Sequence, residues 1–172
     1  DLIVHAAGLS NVDDCERNPD HAYNVNTQIA ATVAEVAASE GVRLVHISTD
    51  HLFAGDHSMV DENATTSPLN AYARTKLAGE RAVAKGCPQA LIVRTNFFGW
   101  GHAYRESLSD WILKGLRARQ SLNMLSDTFF TPILADRLAH AVHVLVERGV
   151  SGVIHVAGDE RRPERLPFRR VV

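Results

Sequence analysis

Tyr72 and Lys76 are the residues of this sequence best suited to move a proton. Residues at i and i+4 share one face of a helix. A cation beside a phenol favours the phenolate and lowers the tyrosine pKa from its free value of about 10, so that the phenol can pass a proton near neutral pH. The lysine keeps further N–H donors for the hydroxyls of a ligand. The spacing alone recurs by chance in many helices, and Thr49, 23 residues upstream, is what makes it specific. If Thr49 ends the preceding strand, its hydroxyl can hydrogen-bond the carbonyl oxygen that Tyr72 protonates.

Such a trio needs a rigid frame, and the flanking residues describe one. Leu2 to Gly8 is an apolar run that stops at small residues, as a buried strand ending in a tight loop does. The alanine-rich segment 20–40 reads as a helix with Ile29, Val33 and Val36 on one face, ended by Gly41. Val42 to Ile47 is a second β-branched strand, and Ser48 to Ser67 is a long polar loop of the kind that often carries function. Pro68 precedes a helix over about Asn70 to Lys85, which Gly86 and Pro88 terminate, and Ala90 to Arg94 is a third strand. Strands alternating with helices long enough to cross over predict an α/β fold with a parallel sheet. Ligands of such sheets bind outside the carboxyl ends of the strands. Ala6-Ala7-Gly8, Ser48-Thr49-Asp50 and Thr95-Asn96-Phe97 all fall at such ends. The second half predicts helices near 105–118 and 135–148 and a short strand near 152–156, with no repeat and no linker.

Composition sets the outer limits. The chain has 172 residues, enough for one domain and a fragment of another. Eighteen Lys and Arg against 20 Asp and Glu leave a net charge of −2, which argues against a general nucleic-acid binder. The 45% hydrophobic and 22% charged content is that of a folded globular chain. Cys15 and Cys87 fit no disulfide or ligand framework, so a reducing, cytoplasmic setting is expected. No apolar run reaches the roughly 18 residues needed to span a bilayer, and no signal peptide opens the chain. Nine histidines invite a metal site, but His140 with His143 and His51 with His57 lack a third ligand at suitable spacing, and no metal is expected. Trp100 and Trp111 are read as packing residues. Asp159 to Val172, with five Arg against three acids, is read as a solvated tail.

Several blocks carry a family resemblance: Ser48-Thr49-Asp50 with Phe53 and Gly55, then Ser67-Pro68-Leu69-Asn70-Ala71-Tyr72 and Lys76-Leu77-Ala78-Gly79-Glu80. Val4 to Gly8, Val12-Asp13, Asn24-Val25-Asn26, Arg94-Thr95-Asn96 and Asp127 to Pro132 stand where matching motifs are expected. The chain resembles the extended short-chain dehydrogenase/reductases, and within them the dTDP-4-dehydrorhamnose reductase branch, from Asp1 to about Asp159. The resemblance implies a doubly wound, Rossmann-like sheet over residues 1–100 and a mixed substrate-binding lobe with the last core elements over 101–172. It implies reduction of a 4-keto-6-deoxy nucleotide sugar by NADPH or NADH. Tyr72 would be the general acid, Lys76 would hold the nicotinamide ribose, and Thr49 would polarise the carbonyl. Asp50 and Asn96 would contact the sugar, while Ala6, Ala7, Gly8 and Leu9 would line the cofactor by their main chain. Phe97 stands where these reductases usually carry a tryptophan against the sugar, which leaves the substrate's identity open. Asp127 to Pro132 fits equally a sugar-contact loop or the entry to the next helix.

Neighbouring activities fit less well. A 4,6-dehydratase places Glu after the Asp of this motif, where this chain has His51. Epimerases show Val-Tyr-Gly where this chain has Leu52-Phe53-Ala54-Gly55. An epimerase, or a non-catalytic binding subunit such as the regulatory subunit of methionine adenosyltransferase, which resembles the same branch, remain the alternatives. The glycine-rich turn that grips the cofactor pyrophosphate is not among the 11 glycines. The chain therefore reads as entered in the middle of a fold: N-terminally truncated, weakly stable and inactive by itself, a homodimer when full length.

Overall fold

A computed structural model describes residues 1–56, 59–101, 106–123, 129–158 and 162–163. In chain order the elements are β1 (Leu2–His5), α1 (Val12–Arg17), α2 (Pro19–Tyr23), a π-helical segment (Asn24–Gln28), α3 (Ile29–Ser39), β2 (Arg43–Ile47) and α4 (Ala71–Gly86). They are followed by β3 (Leu91–Arg94), β4 (Phe97–Phe98), α5 (Leu108–Arg117), β5 (Phe129–Phe130), β6 (Ile133–Leu134), α6 (Ala135–Glu147), β7 (Gly152–His155) and β8 (Arg162–Pro163). Two compact units result: Asp1–Thr95 with Val144–His155, and Asn96–His143 with Val156–Val172.

The first unit is built on a parallel sheet of order β1-β2-β3-β7. Its strands are short and β-branched, and every residue of β3 is buried. One face carries a core of Ala30, Ala34 and Ala37 from α3, Leu44 from β2, Val83 and Cys87 from and after α4, and Ala90 and Ile92 at β3. This corrects the expected Ile29–Val33–Val36 face. Ile29 and Val36 are about half exposed, and the alanine stripe one residue on turns inward. Val33 stays packed against this core, and the alanines let α3 lie close against α4. The C-terminal end of α3 obeys a local rule, Gly41 taking φ 63 just beyond it.

Helix α4 starts where its cap dictates. The Asn70 side chain accepts from the Ala73 N–H at 2.8 Å, satisfying one of the donors a helix start leaves free. Helix α1, which the hydrophobic pattern does not announce, is capped in the same way by Asn11 and α2 by Asn18 ahead of Pro19. On β1, the edge strand, Leu2 and Val4 stand about half exposed.

In the second unit β4 pairs in parallel with β6, and β5 antiparallel with β8. Helix α5 opens on a capping box between Ser107 and Asp110. Trp100 is 70% exposed, against the packing role expected of it, and Trp111 is partly exposed. Of the segment Asp127 to Pro132, Asp127 and Thr128 lie outside the described residues, as do His57 and, apart from Arg162 and Pro163, the tail from Asp159. No helix among the described residues is long and apolar enough to cross a membrane.

Candidate active site

Thr49, Asp50, Tyr72 and Lys76 all belong to the first unit, at the carboxyl end of β2 and the first turns of α4. The Thr49 hydroxyl acts on the Tyr72 phenol and lowers its pKa, so strand end and helix bring these two groups together. The main-chain N–H of His51 donates to Thr49 Oγ1 at 3.3 Å. That leaves the Thr49 hydroxyl proton to be donated onward.

Burial is the largest influence on the Tyr72 phenol and pushes its pKa up from the usual value; the Thr49 hydroxyl pulls it back, and Asp50 and Cys15 push it further up. This differs from the lowering expected of Lys76. The Lys76 ammonium instead donates to the Ile47 carbonyl at 2.8 Å, and the loss of water around the phenol sets the direction of its shift. A phenol that keeps its proton is the form a general acid requires. Lys76 is buried, and burial lowers its pKa to about 8 against the opposing pull of Glu80.

Asn26 joins the loop after β1 to α4. Its Oδ1 accepts from the Leu9 N–H at 2.8 Å, and its Nδ2 donates to the Leu9 carbonyl at 3.0 Å and to Thr75 Oγ1 at 3.1 Å. Thr75 Oγ1 in turn donates to the Tyr72 carbonyl at 2.9 Å, and Thr27 Oγ1 to the Thr75 carbonyl at 2.8 Å. Every hydrogen-bonding position of the Asn26 amide but one lone pair is used. A Cβ at Gly79 would overlap the Asn26 carbonyl oxygen, so the close approach of the π-helical segment to α4 depends on that glycine. Asn26 stood out in the sequence only as part of a motif; its bond to Leu9 spans 17 residues and has no local signal.

Beneath Lys76 lies a second feature that sequence reasoning missed. His5 and His46 face each other across β1 and β2, both buried, with Nδ1 atoms 2.9 Å apart. Two neutral imidazoles can share one Nδ1–H, provided one ring is bare at Nε2 and the other carries its proton there. Burial first, and then the charge of Lys76, lowers both pKa values, His46 to about 3. In the unfolded chain both titrate near 6.5. Between about pH 3 and 6.5 the unfolded state binds more protons, so stability rises with pH across that window and is complete above it. Chemical denaturation at pH 7.5, 6.5, 5.5 and 5 should show stability falling toward acid by about 1.4 kcal/mol per pH unit for each proton taken up. A denaturation midpoint that stays level over that range would contradict this account.

A buried ion pair anchors the long loop beside the site. Arg94 donates from Nη2 to Glu80 Oε2 at 2.8 Å and from Nε to both carboxylate oxygens at 3.1 Å. Its Nη1 reaches the Glu62 carbonyl at 3.4 Å, and its guanidinium lies 5.6 Å from the centre of the Phe53 ring. The His155 N–H donates to Glu62 Oε1 at 2.8 Å, holding that carboxyl below its ordinary range. Residues 53 and 62 are thereby tied to β3 and β7.

Ala6, Ala7 and Gly8 are exposed at the end of β1, with Leu9 held by Asn26. Asn96 and Phe97 fall in the second unit, where the Asn96 carbonyl accepts from the Ile133 N–H and Phe97 is 53% exposed. His140 and His143 are exposed, and no group of three metal-ligating side chains occurs among the described residues.

A parallel, Rossmann-like sheet carries Thr49 just past the carboxyl end of β2, with Tyr72 and Lys76 on α4. Comparison with known proteins gives the family. The family model described as RmlD substrate binding domain matches residues 1–168, and the chain belongs to that family. It is 37% identical to the dTDP-4-dehydrorhamnose reductase of Salmonella typhimurium over 167 residues, covering 92% of this chain and 54% of that protein. The Escherichia coli K12 reductase is 35% identical over 164 residues, with 91% and 54% covered. The crystal structure of the Bacillus anthracis dTDP-4-dehydrorhamnose reductase in complex with NADP matches with a TM-score of 0.88 at 28% identity, over 94% of this chain and 57% of that one. The chain thus spans about half the length of the curated relatives it matches.

Proposed function

We propose that this chain supplies the proton-transfer half of a reductase acting on a 4-keto-6-deoxy nucleotide sugar. The observation that carries the reading is the partly buried Tyr72, whose phenol is acted on by the Thr49 hydroxyl and which stands one helical turn from a buried Lys76. Tyr72 gives its proton to the substrate carbonyl oxygen, Thr49 donates to the same oxygen, and the ketone becomes an alcohol. Asp50 contacts the sugar.

The residues present fit the nicotinamide end of a cofactor. Lys76 spends one N–H on Ile47 and has two left for ribose hydroxyls, and the exposed small residues Ala6 to Gly8 let a ligand reach the main chain at the end of β1. NADPH or NADH, when bound, supplies the hydride that the carbonyl carbon accepts. Lys76, its own charge held by the Ile47 carbonyl and Glu80, favours the phenolate that Tyr72 leaves behind. The reading places the protein in the cytoplasm, where Cys15 and Cys87 stay reduced, and takes its full-length form as a homodimer.

The full-length protein should consume NADPH when given a 4-keto-6-deoxy nucleotide sugar and release one alcohol per cofactor oxidised. Cofactor binding without consumption would make it a binding subunit instead. A change of configuration without net oxidation would make it an epimerase.

A further inference from the structure

Thr49, whose hydroxyl acts on the Tyr72 phenol, stands on one side of a long loop and Tyr72 on the other. The Ser67 N–H donates to the carbonyl of the fully buried Leu52 at 2.8 Å and closes the base of that loop. Beyond the base, two residues reach the ends of β3 and β7. The Phe53 ring meets His155 edge-on, with centroids 5.7 Å apart, and lies 5.6 Å from the Arg94 guanidinium. Glu62 accepts from the His155 N–H through Oε1 at 2.8 Å and from Arg94 Nη1 through its carbonyl at 3.4 Å. Arg94 and His155 are partners in the register of β3 and β7, and Arg94 is itself held by Glu80 of α4. Loop, strand ends and the helix that carries Tyr72 are therefore joined at one guanidinium.

Resting on the reductase reading, we propose that Glu62 is a positioning residue of the reduction: by pinning the loop to the ends of β3 and β7, its side chain sets where Thr49 stands against the Tyr72 phenol. The path between them is short. Thr49 Oγ1 accepts from the His51 N–H, and His51 runs through Leu52 into the anchored Phe53. A misplacement of about 1 Å at reacting groups costs on the order of 10²-fold in rate, so a smaller shift of Thr49 is enough for about tenfold. Lys76 is bonded to the Ile47 carbonyl, ahead of the loop, so its hold on a cofactor does not depend on this anchor.

The test is a double-variant cycle in the full-length enzyme. Glu62→Ala should lower kcat about tenfold and leave the cofactor dissociation constant unchanged. Glu62→Gln keeps an oxygen that can accept the same N–H, and should stay within about threefold of wild type. In a Thr49→Val background, already slow, Glu62→Ala should cost less than about twofold further, because the group through which it acts is gone. Where Glu62→Ala folds poorly, Phe53→Leu, which loosens the other anchor, should show the same loss of about tenfold and the same dependence on Thr49.

No loss in either variant, an equal loss with and without Thr49, or Glu62→Gln as slow as Glu62→Ala would overturn the proposal while leaving the reductase reading intact. A wild type that turns over no 4-keto nucleotide sugar would overturn both.

Discussion

Tyr72→Phe in the full-length enzyme is expected to lower kcat by about 10²- to 10⁴-fold, the usual worth of a positioned proton donor, with little change in cofactor affinity. The substitution removes one oxygen and keeps the ring. That ring packs on the small cluster of Cys15, Ala22 and Ala71, and meets His51 edge-on, so neither contact is lost. Thr49 would keep the N–H of His51. Steady-state kinetics with a 4-keto nucleotide sugar, beside a cofactor titration, separate the chemical loss from a folding loss. Turnover equal to wild type would remove Tyr72 from the mechanism. Because Tyr72 holds its proton in this structure, the loss should appear in kcat and kcat/KM together, as for a contact made in the transition state.

The second large effect concerns stability. Arg94→Met should cost about 3–5 kcal/mol, because it strands the Glu80 carboxylate in a buried place without its partner. Both side chains are under one-tenth exposed, so water cannot take over the pairing. The same change releases the Glu62 carbonyl and the Phe53 ring, and with them the long loop that carries Asp50 and His51. The double change Arg94→Met with Glu80→Leu should recover much of the loss, since two apolar side chains leave no unpaired charge. Urea denaturation of wild type, the single variant and the double variant reads both. A double variant no more stable than Arg94→Met would mean that the ties to Glu62 and Phe53, rather than the stranded charge, carry the cost.

Much of the frame was legible from local signals. Runs such as Leu91-Ile92-Val93 could bury only as strands, Asn70 announced the start of α4, and Gly41 the end of α3. The order of elements then left a parallel sheet as the arrangement their lengths permit. The π-helical segment, by contrast, has no compositional mark, and packing against α4 and the sheet decided the inward face of α3: alanines rather than Ile29 and Val36. Helix α1 is only six residues long and carries too few apolar positions to show a period.

For the site, the types and spacing of Thr49, Tyr72 and Lys76 are properties of the chain itself, because the i, i+4 relation and the strand-to-helix order are local. The sequence by itself therefore determined which groups could protonate a carbonyl and at which end of the sheet they would stand. Tertiary structure decided their electrostatics. Whether Tyr72 is raised or lowered depends on how much water the elements around it exclude, and burial is the largest influence. The His5–His46 pair joins residues 41 apart, and Arg94 with Glu80 joins residues on a strand and a helix. Neither pairing exists until the sheet and α4 have closed on one another, because charge and hydrogen-bond energies depend on distances and burial that only the folded chain sets.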